Sequence, residues 1–109
     1  MKSLSEYLFE SKDLTINILK KAIDELLEGN DDDVNDSLKY FKDNGKKSIF
    51  DAFEEMEIWD YLIDLIDFMY KGKYFSPYEV IRDMVQKNDK IFTDFVNKEW
   101  GDYIDKNIR

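Results

Sequence analysis

Ser48-Ile49-Phe50-Asp51-Ala52-Phe53-Glu54-Glu55-Met56-Glu57-Ile58-Trp59-Asp60-Tyr61-Leu62-Ile63-Asp64-Leu65-Ile66-Asp67-Phe68-Met69-Tyr70 is the stretch on which the reading of this chain turns. Ser48 through Asp51 has the form of a capping box, so a helix is expected to start at about Ile49. Read as one long helix, the stretch spreads Ile58, Trp59, Tyr61, Leu62, Ile63, Leu65, Ile66, Phe68, Met69 and Tyr70 over roughly 220° of its circumference. Glu57, Asp60, Asp64 and Asp67 fall in a stripe roughly 80° wide. No Lys, Arg or Asn lies between Ile49 and Tyr70, so nothing within the segment relieves the repulsion between acids four apart, worth ~0.2 to 0.5 kcal/mol a pair.

Outside this stretch the signals are also helical. Ser3 to Glu6 can open a short helix carrying Leu4, Tyr7, Leu8 and Phe9. A longer helix is expected from about Lys12 to Glu28, with Leu14, Ile18, Leu19, Ala22, Ile23, Leu26 and Leu27 at helical spacing and Gly29 as its stop. Asp31, Asp32 and Asp33 precede a helix with Val34, Leu38, Tyr40 and Phe41 that ends at Asn44 and Gly45. The central helix should end near Gly72. Ser76, Pro77, Tyr78 and Glu79 then signal a new start, with proline at the first helical position. Val80, Ile81, Met84 and Val85 follow, and a last helix carries Ile91, Phe92, Phe95, Val96 and Trp100, continuing past Gly101 through Ile104. No strand-like alternation competes. The expected fold is all-α, a single domain over residues 1–109 in which five to six helices form a compact bundle around a long central helix.

Composition narrows the function classes. The chain has 109 residues, a net charge of -9 and 43% hydrophobic residues, too apolar for a disordered acidic tail. Without Cys there is no disulfide, zinc–thiolate site or thiol nucleophile; without His the usual general base and the commonest transition-metal ligand are missing. The carboxylates stand apart from any nucleophile or phosphate loop, so no enzyme, cofactor or metal is expected. The run from Asn30 to Asp36 imitates a calcium loop but fails it: from Asp31, Asp36 occupies the glycine place and Lys42 the place of the bidentate Glu. No signal peptide is evident, and the apolar run Ile58–Tyr70 is short and contains three Asp. The expectation is a soluble cytoplasmic protein that binds neither nucleic acid nor an anionic membrane directly.

Charge is unevenly divided. Residues 24–67 hold fifteen acids against four lysines, a balance of -11, whereas the rest of the chain is +2. Carboxylates at Glu57, Asp60, Asp64 and Asp67 would rise along ~15 Å of continuous helix at intervals of ~5 Å, comparable with phosphate spacing along a DNA strand. Such a ridge, helped by Asp31, Asp32, Asp33 and Asp36, suits the basic groove of a protein that handles nucleic acid; the plain alternative is a solvated helix face. Among the aromatics, Tyr74, Phe75 and Tyr78 are the best candidates for an exposed contact patch, set against the usual fate of aromatics as core. They carry the second reading, a helical interaction module such as an immunity protein, an antitoxin or a phage head component. The breadth of the central apolar arc leaves room for a homodimer.

The length, acidity, lack of Cys, helical pattern and aromatic content resemble the Ocr-type antirestriction proteins of phages, small acidic helical DNA mimics. Asp32-Asp33-Val34 followed by Asp43-Asn44, and Pro77 followed by Val80-Ile81-Arg82 with Trp100 and Asp102 beyond, stand in that family's order of features. The chain departs from it in a basic end, Lys106 and Arg109. The resemblance implies a homodimer that blocks the DNA channel of a restriction enzyme in the infected host. Separately, Met1 to Glu10 resembles the capsid-targeting segment of phage internal head proteins, which a prohead protease cuts after a triplet like Leu8-Phe9-Glu10. Both resemblances imply a phage setting. The partner expected is a basic nucleic-acid-binding protein, of restriction or CRISPR type.

Overall fold

The computed structural model describes residues 14–73 and 77–108. They form six helices: α1 (Ile16–Glu28), α2 (Asp32–Asp43), α3 (Ile49–Glu55), α4 (Trp59–Tyr70), α5 (Tyr78–Lys87) and α6 (Asp89–Asn107), with no strand among the described residues. The expected helix at Ser3 to Phe9 and the targeting-like segment lie outside them, as do Tyr74, Phe75 and Ser76.

The long central helix is not found. The chain breaks between Glu55 and Trp59, where Ile58 N–H donates to Phe53 C=O (3.2 Å), Glu57 N–H donates to Glu54 C=O (3.3 Å), and Glu57 takes a left-handed φ of 51°. This pair of bonds is a Schellman stop with Glu in the position usually given to glycine. The cause lies in hydrophobic phase. In one straight helix Ile49, Phe50, Ala52 and Phe53 would face roughly 125° away from Trp59, Leu62 and Ile66, so one core could not take both sets. All seven are buried in the broken form. Short α3 is the central element, packed against α2, α5 and α6, and α4 lies against α1 and α5.

The break also brings rings together. Trp59 meets Phe53 edge-on at 5.8 Å and Phe50 at 5.6 Å, and Tyr78 stands edge-on to it at 6.5 Å. Its indole N–H donates to Glu54 (2.9 Å), which also accepts from Arg82 Nε (2.8 Å), while the Arg82 guanidinium lies over the Phe50 ring. Arg82 thereby holds the Glu54 carboxyl below its ordinary pKa against the opposing effect of burial. One carboxylate ties α3, α4 and α5.

The other boundaries follow local chemistry. Ser48 accepts from Asp51 N–H (3.1 Å), as its capping role requires. The α1 helix begins at Ile16 rather than near Lys12, because Thr15 caps it by accepting from Ile18 N–H (3.2 Å). Gly29 stays right-handed and the left-handed turn passes to Asn30, whose φ is 56°. Asp31 caps α2, accepting from Asp33 N–H (2.9 Å), and Gly45 ends it at a φ of 79°. Pro77 precedes the first residue of α5 rather than opening it. The α6 helix runs through Gly101. Among the described residues no helix is long and apolar enough to cross a membrane.

Candidate functional site

Helix α4 buries only Trp59, Leu62 and Ile66, so its opposite side belongs to solvent. Asp60, Asp64 and Asp67 are exposed there at spacings of four and three, rising ~10 Å along one face. Glu57 is exposed too, but it sits in the left-handed turn and no longer shares their helical register. The carboxylate ridge is therefore three residues long rather than four.

One acid of α2, Asp33, is tied to α4 through Tyr61. Asp31, Asp32, Asp33 and Asp36 are all exposed. Tyr61, one residue past Asp60, donates its hydroxyl to Asp33 Oδ2 at 2.5 Å and so joins the face of α4 to the start of α2. That hydrogen bond, with the negative charges of Asp33 and Asp31, pushes the Tyr61 phenol from its ordinary 10.0 up to about 12.

Ion pairing occurs elsewhere. Among the described residues the pairs are Lys39–Asp43, Lys46–Asp105, Arg82–Glu54, Lys87–Asp83 and Lys90–Asp94. None uses Asp31, Asp32, Asp33, Asp36, Glu57, Asp60, Asp64 or Asp67. Asp24 is also committed, accepting from the Trp100 indole N–H at 2.8 Å. Asp24, Asp43 and Glu54, counted with the acidic segment by composition, thus have local duties; the exposed acids of the α2–α4 face have no ion pair among the described residues, and neither do Glu28, Asp51 and Glu55 of the same segment. Ionised carboxylates only accept hydrogen bonds, so this face is suited to lysine and arginine donors. No group of three or more His, Cys, Asp or Glu among the described residues is arranged to hold a metal ion.

Where α4 leans on α1, the same face contains a cleft of about 380 Å³ that the sequence reading missed. Leu26, Leu65 and Phe68 give it an apolar lining, and Glu25, Asp31 and Asp64 stand around it with Tyr61. Phe68 is 82% exposed, by far the most exposed large apolar side chain of the described residues. Helical spacing puts Tyr61 and Phe68 in the apolar arc. A signal was available: both lie at the edge of that arc, roughly 130° or more from the centre set by Trp59, Leu62 and Ile66, next to the acidic stripe.

Tyr78 is 41% exposed, as expected of it, but lies edge-on to Trp59 and does not line the cleft. Of the expected aromatic patch only Tyr78 is among the described residues, and it is not part of the cleft. When the chain is compared with protein-family models, with curated proteins and with solved structures, no match is found in any of the three.

Proposed function

We propose that this chain is a non-enzymatic inhibitor whose acidic α2–α4 face occupies the basic nucleic-acid-binding site of a bacterial defence protein, a restriction enzyme or a CRISPR nuclease. The observation that carries the reading is the set of exposed carboxylates on the α2–α4 face that, among the described residues, have no lysine or arginine in ion-pair distance, the two helices being linked by the Tyr61–Asp33 hydrogen bond. Asp60 sits in the first turn of α4, where the dipole favours an acid, but nothing in the fold requires acids at 64 and 67: lysine at either would satisfy the solvated face equally well and remove repulsion. Excess negative charge kept on a helix face is what a polyanion mimic needs. Releasing the counterions of the basic groove would then drive association. The resemblance to phage DNA mimics supplies the setting: a phage protein acting in the cytoplasm of its host, as a homodimer, without cofactor, membrane or direct nucleic-acid contact.

The test is protection. Expressed in restricting or CRISPR-proficient bacteria, the chain should let phage escape; the D60K/D64K double variant should fail to do so while keeping its helical circular dichroism. Equal protection by the folded variant contradicts the mimicry. A second reading, a helical interaction module, draws on the exposed Tyr78 and Val80 of α5. It is favoured instead if binding is insensitive to salt and lost in Tyr78→Ala.

A further inference from the structure

The acidic face has an apolar opening, and a plain polyanion mimic has no use for one. DNA offers a basic groove phosphates and sugars; this face adds the exposed ring of Phe68 beside Leu65 and Leu26, with Glu25, Asp31 and Asp64 around them. We propose that the cleft between α1 and α4 is the anchor site for a partner segment in which one large apolar side chain is flanked by lysines or arginines. This deepens the reading above and rests on it in one respect, that the partner of this face is basic.

Charge complementarity selects that occupant. An uncharged apolar segment would bury these carboxylates without donors, which is unfavourable for each of them. A purely basic segment would leave the Phe68 ring in water. A segment carrying both places its apolar side chain against Leu26, Leu65 and Phe68 while its cations meet the acids around them, the arrangement of an apolar centre within a charged rim that protein interfaces favour. Asp31 and Asp64 are well placed for this. Asp31 is fixed as the cap of α2 and Asp64 projects from a helix, so neither has to be recruited from a mobile loop.

The test uses the full chain, isotope-labelled, titrated with three short synthetic peptides while backbone amide resonances are followed. The first peptide has a central phenylalanine flanked by lysines, the second has serine in place of the phenylalanine, and the third keeps the phenylalanine but has glutamates in place of the lysines. The proposal expects the first to shift the amides of Leu26, Gly29, Leu65 and Phe68, the second to bind about tenfold or more weakly, from the apolar area it no longer buries, and the third not to bind. Phe68→Ser, at a side chain too exposed to matter to the core, should weaken the first peptide to the level of the second. If the two lysine peptides bind equally well, or the first shifts the acidic ridge but not the cleft, the anchor is overturned and the acidic-face reading stands. If neither lysine peptide binds at low salt, both fall. Cleft resonances that move with protein concentration alone would assign the site to a second copy of the chain and overturn the basic partner.

Discussion

Two faces of this molecule are built from the same residue types and treat charge in opposite ways. On α5 and α6, Asp83 meets Lys87 and Asp94 meets Lys90, each four residues apart. On α4, Asp60 meets Asp64 at that spacing and Asp64 meets Asp67 one residue closer. The first arrangement is the ordinary solution for a wet helix face, worth a few tenths of a kcal/mol a pair; the second forgoes it. Since the acids of both faces are exposed, burial does not explain the difference. The helix dipole accounts for Asp60 in the first turn of α4; for Asp64 and Asp67 the proposed function supplies a reason, a basic partner.

The comparison requires α4 to stay where Trp59 holds it. Trp59→Ala should lower unfolding stability by about 3–5 kcal/mol in urea titration, through the cavity left among Phe50, Phe53 and Tyr78. A loss below about 1 kcal/mol would mean that α4 is not anchored through this ring, and the two faces could not be contrasted as fixed surfaces. Next in size is Glu57→Gly, which relieves a side chain from a left-handed backbone and should stabilise by about 1 kcal/mol. If that variant destabilises, the Glu57 side chain has a folding role and drops out of the acids kept for a partner.

The contrast itself is sharpened by exchanging charge. Asp64→Lys should stabilise by about 0.5 kcal/mol, because it converts repulsion into an i, i+4 pair with Asp60, while Lys87→Glu should destabilise by a similar amount. Equal signs for the two would erase the distinction between the faces. The smallest effect is titrimetric. One tyrosine should ionise near pH 12, and Asp33→Asn should return it toward 10.0. Because the folded chain holds this proton more tightly than the unfolded chain, the hydroxyl's stabilising contribution is complete below pH 10 and is lost as pH rises toward 12. A Tyr61 phenol that titrates normally would remove the link between α2 and α4.

Most of the fold was legible because the boundary signals are local. Ser48 and Gly45 act where their chemistry requires, and the apolar spacing of α1 through Leu19, Ala22, Ile23, Leu26 and Leu27 matches its buried face. The break at Met56 to Ile58 was harder to read, since it carries neither Gly nor Pro and Glu57 is a poor left-handed residue. Only the phase conflict between Phe53 and Trp59 announces it. The acids of α2 and α4 were legible as a group, but Asp24, Asp43 and Glu54 could be set apart only by partners distant in sequence or by a neighbouring lysine. The cleft depended on where α1 packs against α4, which no spacing within either helix encodes.

The most direct measurement is capture on the immobilised chain from a bacterial lysate, with elution by duplex DNA or by rising salt, run beside the D60K/D64K variant. The account predicts that the natural chain retains nucleic-acid-binding proteins that DNA displaces, with affinity falling steeply as salt rises, and that the folded variant retains none of them. Retention of the same proteins by the variant, or retention that neither DNA nor salt disturbs, would contradict it.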